Sequence, residues 1–203
     1  MRIHTVLLRV RLTGVLLLLA LFTACGRSPG EPWQLTSIEG FFPDLQFTLS
    51  NGGEHPVTAK DFRGKVVLLY FGYLNCPDVC PMTMSRLGSA LKELGERADA
   101  VRVLFVSVDP RRDTPQQLAT YARAFSEQGV GATGTPAEIE AMAKRYRVAY
   151  EAEAPDAGGN YEVMHGKAVY VFDGTGRARL MITDSDSPEA IAHDLRQLIA
   201  TSS

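Results

Sequence analysis

The chain has 203 residues, a formal net charge of −2 and a hydrophobic content of 45%. This length predicts one domain with short appendages, and the apolar fraction is sufficient for an ordinary core. The nearly balanced charge argues against a nucleic-acid-binding protein, because that class needs a basic stripe or patch to contact phosphate.

The first 25 residues have the layout of a secretory signal. Arg2, Arg9 and Arg11 give a basic start, and residues 15–22 form an unbroken apolar run that small residues follow. An uncleaved transmembrane helix is the alternative, but the run is well short of the ~20 apolar residues that a spanning helix needs. We expect residues 1–25 to be a signal peptide and the protein to be exported.

Residues 22–25, with the sequence FTAC, resemble a bacterial lipobox, although Phe22 stands where that pattern usually has Leu. The resemblance implies that Cys25 is lipidated and that its acyl chains anchor the protein to the membrane. The expected location is therefore periplasmic, or on the outer face of the bacterial cytoplasmic membrane. Cys76 and Cys80 remain as a pair too close in sequence for a useful structural staple, which favours reactive or metal-binding use.

The predicted domain begins after a tether. Residues 26–43 contain several prolines and glycines and are predicted to be flexible. Residues 47–58 are predicted to form a hairpin around an Asn-Gly-Gly turn. The apolar run KVVLLYFGY at residues 65–73 is typical of a strand that is buried on both faces.

Four helices are predicted, each from a capping residue followed by proline and an apolar face at helical spacing. The capping pairs are Cys80-Pro81, Thr114-Pro115, Thr135-Pro136 and Ser187-Pro188. Further strands are predicted at residues 101–108, 148–151, 168–172 and 177–183, and the last two flank a tight turn, so they should pair antiparallel. This order predicts a thioredoxin-like α/β fold over residues 44–203, with a central mixed sheet flanked by helices and an N-terminal β-hairpin extension.

The cysteine pair follows the strand at residues 65–73, at the carboxyl end where open α/β sheets place their ligands. Cys80 is predicted to be a helix N-cap, where the helix dipole lowers the pKa of a thiol. Thiolates suit Cu(I) and zinc. The C-x₃-C spacing alone leaves redox, metal-binding and incidental roles open.

His165 is the candidate third ligand. In the thioredoxin arrangement the strand after it runs opposite to the cysteine-bearing strand, so the two loops meet at one edge of the sheet. A single histidine in a loop is more often a solvated surface residue, and this inference therefore depends on the fold.

Three segments carry a resemblance to a known family. Residues 70–81 (YFGYLNCPDVCP) closely resemble the signature of the Sco (SenC) family of copper chaperones. Residues 106–115 and 131–150 resemble its second and third blocks, and the likeness covers about residues 42–182. Two departures are Asn75, where the family often has His, and Met164, where it commonly has Asp.

The resemblance implies that one copper, as Cu(I) or Cu(II), is bound through Cys76, Cys80 and His165. It also implies a role in assembling the binuclear copper centre of cytochrome c oxidase. The expected partner is the copper-bearing subunit of that enzyme or another copper-transfer protein. Asp78 and Asp109 match family motif positions and are candidates for supporting roles around the ligands. The absence of a carboxylate before His165 predicts a less firmly oriented ring.

A metallochaperone rather than an enzyme is therefore predicted, with two alternatives. One is a thiol–disulfide oxidoreductase using a Cys76–Cys80 disulfide, either alone or as an accessory activity. Against it, the spacing is not C-x-x-C, and residues 163–167 lack the proline that thioredoxins place there. The other is a copper-dependent redox sensor. The acidic loop at residues 152–160 is expected to be mobile and to close over the metal.

Overall fold

The computed structural model describes residues 31–201, and a six-stranded mixed sheet lies at its centre. The strands in chain order are β1 (Thr36–Ser37), β2 (Thr48–Leu49), β3 (Val57–Thr58), β4 (Val66–Gly72), β5 (Val101–Ser107), β6 (Gly129–Ala132), β7 (Tyr150–Ala152), β8 (Val163–His165), β9 (Val169–Phe172) and β10 (Ala178–Ile182). The α-helices are α1 (Val79–Leu94), α2 (Pro115–Phe125), α3 (Pro136–Arg145) and α4 (Pro188–Thr201). Short 3₁₀ helices cover Ala59–Phe62 and Gly95–Ala100.

The central sheet has the order β1-β10-β9-β4-β5-β6. Strand β4 pairs parallel with β5 and antiparallel with β9, and β6 continues the parallel half. Strands β9 and β10 form the predicted antiparallel hairpin. The thioredoxin-like mixed α/β fold is therefore confirmed. The loops after β4 and β5 and the loop before β9 all open at one edge.

Strand β4 is buried on both faces because helices or hairpins cover each side. Alternate side chains of β4 enter two separate apolar clusters, as expected when successive residues point to opposite faces. One cluster contains residues of α1, α2 and α4, and the other contains residues of α3 and the β2–β3 hairpin. The continuous apolar run of the sequence reflects this two-sided burial.

Three of the four predicted caps are observed. Thr114 and Thr135 form reciprocal capping boxes, accepting from the backbone N–H of Gln117 and Glu138. The hydroxyl of Ser187 accepts from the backbone N–H of Ala190. The predicted cap at Cys80 is wrong.

Helix α1 begins earlier than its proline suggested. Its N-cap is Asp78, whose carbonyl accepts the backbone N–H of Met82 at 3.1 Å. Cys80 therefore lies inside the first helical turn, and Pro81 is the third helical residue rather than the first.

The structure differs from the predicted elements at other places as well. The predicted tether extends to residue 43, but Leu35 and Ile38 are buried and β1 pairs with β10 at the sheet edge. The strand predicted at residues 148–151 is β7, which pairs with β8 outside the central sheet. Strands β6 and β8 were not predicted, and β8 places His165 at the end of a strand rather than in the expected loop. Within residues 31–201, no helix is long and apolar enough to cross a membrane.

Candidate metal centre

Cys80 lies behind the loop that follows β4. Cys80 is fully buried, whereas Cys76 is half-buried, and neither forms a disulfide. The backbone N–H of Cys80 points to the Cys76 sulfur at 3.4 Å. The loop after β4, which carries Cys76, and the first turn of α1, which carries Cys80, therefore bring the two sulfurs together at the carboxyl end of β4.

His165 reaches the same place from the other side of the sheet edge. It ends β8, which is held by antiparallel pairing with β7, including the pair Tyr150 and His165. The His165 Nε2 atom lies 3.3 Å from the Cys80 sulfur. One donor atom from each of Cys76, Cys80 and His165 lies within 4.8 Å of the other two.

The orientation of the His165 ring is fixed by the next residue. Its Nδ1 atom is 3.0 Å from the carbonyl oxygen of Gly166. Because a carbonyl only accepts, Nδ1 carries the proton and Nε2 presents its lone pair towards Cys80. Met164 stands where the family commonly has Asp, so no carboxylate directly precedes His165. The bond to Gly166 orients the ring instead. Burial lowers the pKa of His165, which favours the neutral, ligating form.

The electrostatics of Cys80 differ from the prediction. Burial raises the pKa of its thiol to about 12, so desolvation outweighs the helix terminus that was expected to lower it. The hydroxyl of Tyr70 lies 3.7 Å from the Cys80 sulfur and can donate to it. In the absence of a positive ion, Cys80 is therefore a protonated thiol at neutral pH.

The site opens to solvent through a groove of about 400 Å³. Cys76 and His165 line this groove, whereas the fully buried Cys80 does not. The groove is also lined by Tyr73, Pro77, Asp78, Val79, Glu162, Val163, Met164 and Lys167. Two of the three donor residues, Cys76 and His165, are therefore reachable from this groove.

Comparison with known families agrees with this geometry. The SCO1/SenC family profile matches residues 40–200, which is most of the chain. The chain belongs to the SCO1/SenC family.

Relatives within the SCO1/SenC family come from distant organisms. The mitochondrial protein SCO2 homolog of Mus musculus is 33% identical over 156 residues, covering 76% of this chain and 61% of the mouse protein. Protein SenC of Rhodobacter capsulatus is 39% identical over 127 residues, covering 63% of this chain and 57% of that protein. The chain therefore spans little more than half the length of these relatives.

A solved structure of the family contains copper. The structure of Bradyrhizobium japonicum ScoI with copper bound is 36% identical, with a TM-score of 0.69, and the match covers 76% of this chain and 98% of that one. The donor set of this chain fits such an ion, because two sulfurs and an imidazole are soft ligands that suit Cu(I). At zinc, bond lengths of roughly 2.0–2.3 Å separate the donors of one ion by several ångströms, and the three donor atoms here lie within 4.8 Å of one another.

The remaining predicted residues lie at different distances from the three donors. Asp78 lines the groove as the N-cap of α1. Asp109 is buried and contacts Arg112 and Tyr161 rather than a donor residue. Cys25 lies outside the described residues, so its lipidation stays a prediction.

Sequence reasoning missed the residues that support the ligands. Tyr70 was predicted to lie in a strand, with no role at the site. In the structure, its side chain lies on the face of β4 that packs against Cys80. The contact of Arg112 with Tyr161 had no local signal, because it depends on where a distant loop returns.

Proposed function

We propose that this protein is a copper chaperone that binds one copper ion through Cys76, Cys80 and His165 and passes it to another protein. The observation that carries the proposal is the convergence of two cysteine sulfurs and one imidazole nitrogen within 4.8 Å. Three ligands leave a coordination position open, and an open site suits ligand exchange better than a closed four-ligand site.

Burial of Cys80 argues against disulfide exchange at this thiol in the metal-free protein. A thiol with a pKa of about 12 is almost entirely protonated at neutral pH and is a poor nucleophile. A bound cation reverses this, because it displaces the proton and binds the thiolate directly. The half-buried Cys76 lines the groove, so ligand exchange with a partner begins at Cys76 and His165 rather than at Cys80.

The wider setting of the proposal rests on the sequence and the family. The partner is the copper-bearing subunit of cytochrome c oxidase or another copper-transfer protein. The basic start, apolar run and lipobox-like end of residues 1–25 support export and membrane anchoring through Cys25. Reduction of cysteines in the partner is an accessory role compatible with the same two thiols.

The test is an anaerobic Cu(I) titration of the reduced, detergent-solubilised chain against a competing chelator. Every variant carries Cys25→Ser, so that Cys25 contributes no thiolate. We expect one copper per chain, with affinity weakened at least ~100-fold by Cys76→Ser, Cys80→Ser or His165→Ala, since a lost ligand costs more than a lost supporting group.

The matched control is His55→Ala, which removes an exposed histidine and should leave the affinity unchanged. Weak copper binding that His165→Ala does not alter would overturn the proposed ligand set. That result would favour the thiol–disulfide oxidoreductase, and the reduction potential of the Cys76–Cys80 pair would be measured next.

A further inference from the structure

The loop between β5 and α2, residues 108–114, contacts both halves of the metal centre. On the cysteine side, the buried Asp113 carboxylate accepts the backbone N–H of Leu74 at 3.0 Å and the hydroxyl of Ser107 at 2.6 Å. Leu74 lies in the segment that leads from β4 to Cys76. The β5–α2 loop therefore fixes where the cysteine loop begins.

The same loop also holds the segment that leads into His165. The Arg112 guanidinium pairs through Nε with the Asp109 carboxylate, and its Nη1 donates to the carbonyl of Tyr161 at 3.0 Å. The Tyr161 hydroxyl donates to the other oxygen of Asp109 at 2.8 Å. Arg112 also lies over the Tyr161 ring, 3.5 Å from its centroid, as in a cation–π contact. Asp109, Arg112 and Tyr161 thus form a closed cluster, called here the arginine clamp.

The arginine clamp also reaches the His165 ring through Tyr73. The Arg112 guanidinium lies 5.8 Å from the centre of the Tyr73 ring. Tyr73 in turn meets His165 edge to face, with ring centres 5.8 Å apart and an angle of 86° between the planes. Arg112 therefore supports His165 along the backbone through Tyr161 and across the groove through Tyr73.

Stability alone is a weak explanation for this arrangement. The Arg112 Nη2 atom is buried without a hydrogen-bond partner among the described residues, and partly satisfied buried charges stabilise a fold poorly. The described contacts of the guanidinium go to Asp109 in its own loop, to Tyr161 in the segment that leads to His165, and to Tyr73, which contacts the His165 ring. Because the Arg112 guanidinium is fixed by Asp109, its hydrogen bond to Tyr161 fixes the position of the segment that leads to His165.

We propose that the arginine clamp positions His165 against the two cysteines, so that Asp109, Arg112 and Tyr161 are positioning residues for the metal centre. The inference rests on the proposed copper site. Without the clamp, the segment from Tyr161 to His165 keeps its pairing with β7 but is less well ordered, so part of the third ligand's position has to be fixed when an ion binds. That ordering cost lowers the affinity for copper.

The first measurement is amide hydrogen exchange of the metal-free full chain. Arg112→Ala should accelerate exchange of backbone amides in residues 161–166 by ~10-fold or more, while β4 and β5 keep the wild-type rates. Arg111→Ala, which removes the same charge from an exposed position of the same loop, is the control. Uniform acceleration throughout the protein, or none in residues 161–166, would overturn the clamp.

The second measurement is Cu(I) affinity in a double-mutant cycle. Arg112→Ala should weaken binding ~10-fold in the wild-type background, as loss of a group that orients a ligand does. It should have no further effect when His165 is already alanine, because the clamp acts through that residue. Effects that simply add in the double variant would show a general structural role and sink the inference.

Two milder variants protect the test against misfolding. Tyr161→Phe removes only the hydroxyl that contacts Asp109, and Arg112→Lys keeps the charge but loses the planar fork. Both should change affinity in the same direction as Arg112→Ala, and each should be silent beside His165→Ala. If His165→Ala itself leaves wild-type affinity unchanged, the proposed function fails, whereas an inert Arg112→Ala beside a strong His165→Ala effect rejects the clamp alone.

Discussion

Gly72 shows how closely a metal ligand is packed against the sheet. A Cβ atom at this position would lie 2.7 Å from the Cys80 sulfur and 2.7 Å from a ring carbon of Phe105. Both distances are too short for non-bonded atoms, so the side chains would have to move. Gly72 ends β4, and the space that it leaves open is the space that the Cys80 sulfur occupies.

We predict that Gly72→Ala displaces Cys80 and damages the metal centre. Overpacking of this kind costs about 1–3 kcal/mol of the free energy of unfolding. Copper affinity should fall as well, because the displaced sulfur no longer faces His165. Chemical denaturation and the chelator titration would measure the two effects.

Gly166→Ala is the matched control, since it makes the same change beside the other ligand. A Cβ atom there meets only Val148 Cγ1, at 3.6 Å, which is an ordinary contact. This variant should retain both stability and affinity. A Gly72→Ala protein with wild-type copper affinity would contradict the packing argument.

At the scale of the secondary-structure elements, the β9–β10 turn is organised by one carboxylate. Asp173 is 4% exposed and accepts the backbone N–H groups of Thr175 and Arg177 and the hydroxyl of Thr175. Its second oxygen accepts from Arg179 at 3.0 Å. The turn also anchors the N-terminal extension, because the Leu45 backbone N–H donates to the carbonyl of Gly176.

Because of these contacts, the contribution of Asp173 to the stability of the fold depends on pH. Burial opposes ionisation of Asp173, but the hydrogen bonds from Thr175, Arg179 and the backbone outweigh it and lower the pKa below the ordinary value of 3.8. A carboxyl group whose folded-state pKa is depressed stabilises the fold above its unfolded-state pKa. That contribution is lost as the pH falls through the folded-state value.

We therefore predict a pH-dependent cost for Asp173→Asn. The variant should lose about 1–3 kcal/mol of unfolding free energy at pH 7, because hydrogen bonds to a charged acceptor are replaced by neutral ones. The difference from wild type should shrink as the pH falls from about 5 to about 2. Urea unfolding at a series of pH values would measure it, with Asp184→Asn as an exposed control. A difference that stays constant down to the lowest pH would refute the assignment.

The elements differ in how much of them the sequence could predict. The apolar run of β4 and the capping pairs of α2 and α3 were read correctly because their signals are local. Strand β6 was missed because a Cβ at Gly129 or Gly131 would lie within 2.3 Å of the backbone of α2. Close packing demands glycine there, and glycine removes the usual strand signal. The α1 cap was misplaced because proline is also tolerated later in the first turn.

At the scale of the whole molecule, Asp194 joins the two ends of the described chain. Its residue is fully buried in α4. The carboxylate accepts the backbone N–H of Gln34 at 3.0 Å and that of Leu35 at 2.8 Å, and it pairs with His193 at 2.8 Å. The first sheet strand therefore depends on the last helix.

We predict that Asp194→Ala lowers the free energy of unfolding by about 1–3 kcal/mol, since the buried backbone N–H of Leu35 loses its acceptor. Backbone amides around β1 should exchange faster. The copper affinity should not change, because β10 and β9 lie between β1 and the strand β4 that leads to the cysteines. Thermal denaturation, hydrogen exchange and the chelator titration would test this together. Asp184→Ala, on an exposed loop, is the control, and equal stability of the two variants would contradict the prediction.

The metal centre was predictable to the level of its three donors and no further. Cys76 and Cys80 lie in one short motif, and the fold brings His165 to them. Arg112 and Tyr161 meet only because a loop without a periodic pattern returns across 49 positions of the chain. The raised pKa of Cys80 depends on burial under neighbouring side chains, which a helix-terminus argument cannot supply.

The two sides of the metal centre are 85 positions apart in sequence. An ion bound by both sides would cross-link Cys80 to His165 for as long as it stays bound. The elements β5, α2, β6 and α3 lie between these two residues in the sequence. A ligand that binds only the native state adds about 2.7 kcal/mol of stability when its free concentration is one hundred times its Kd. Copper-bound and copper-free molecules should therefore differ in their free energy of unfolding. Under the proposed function, a molecule that releases its copper becomes easier to unfold at that moment, so its resistance to heat and proteases would report whether the ion is still bound.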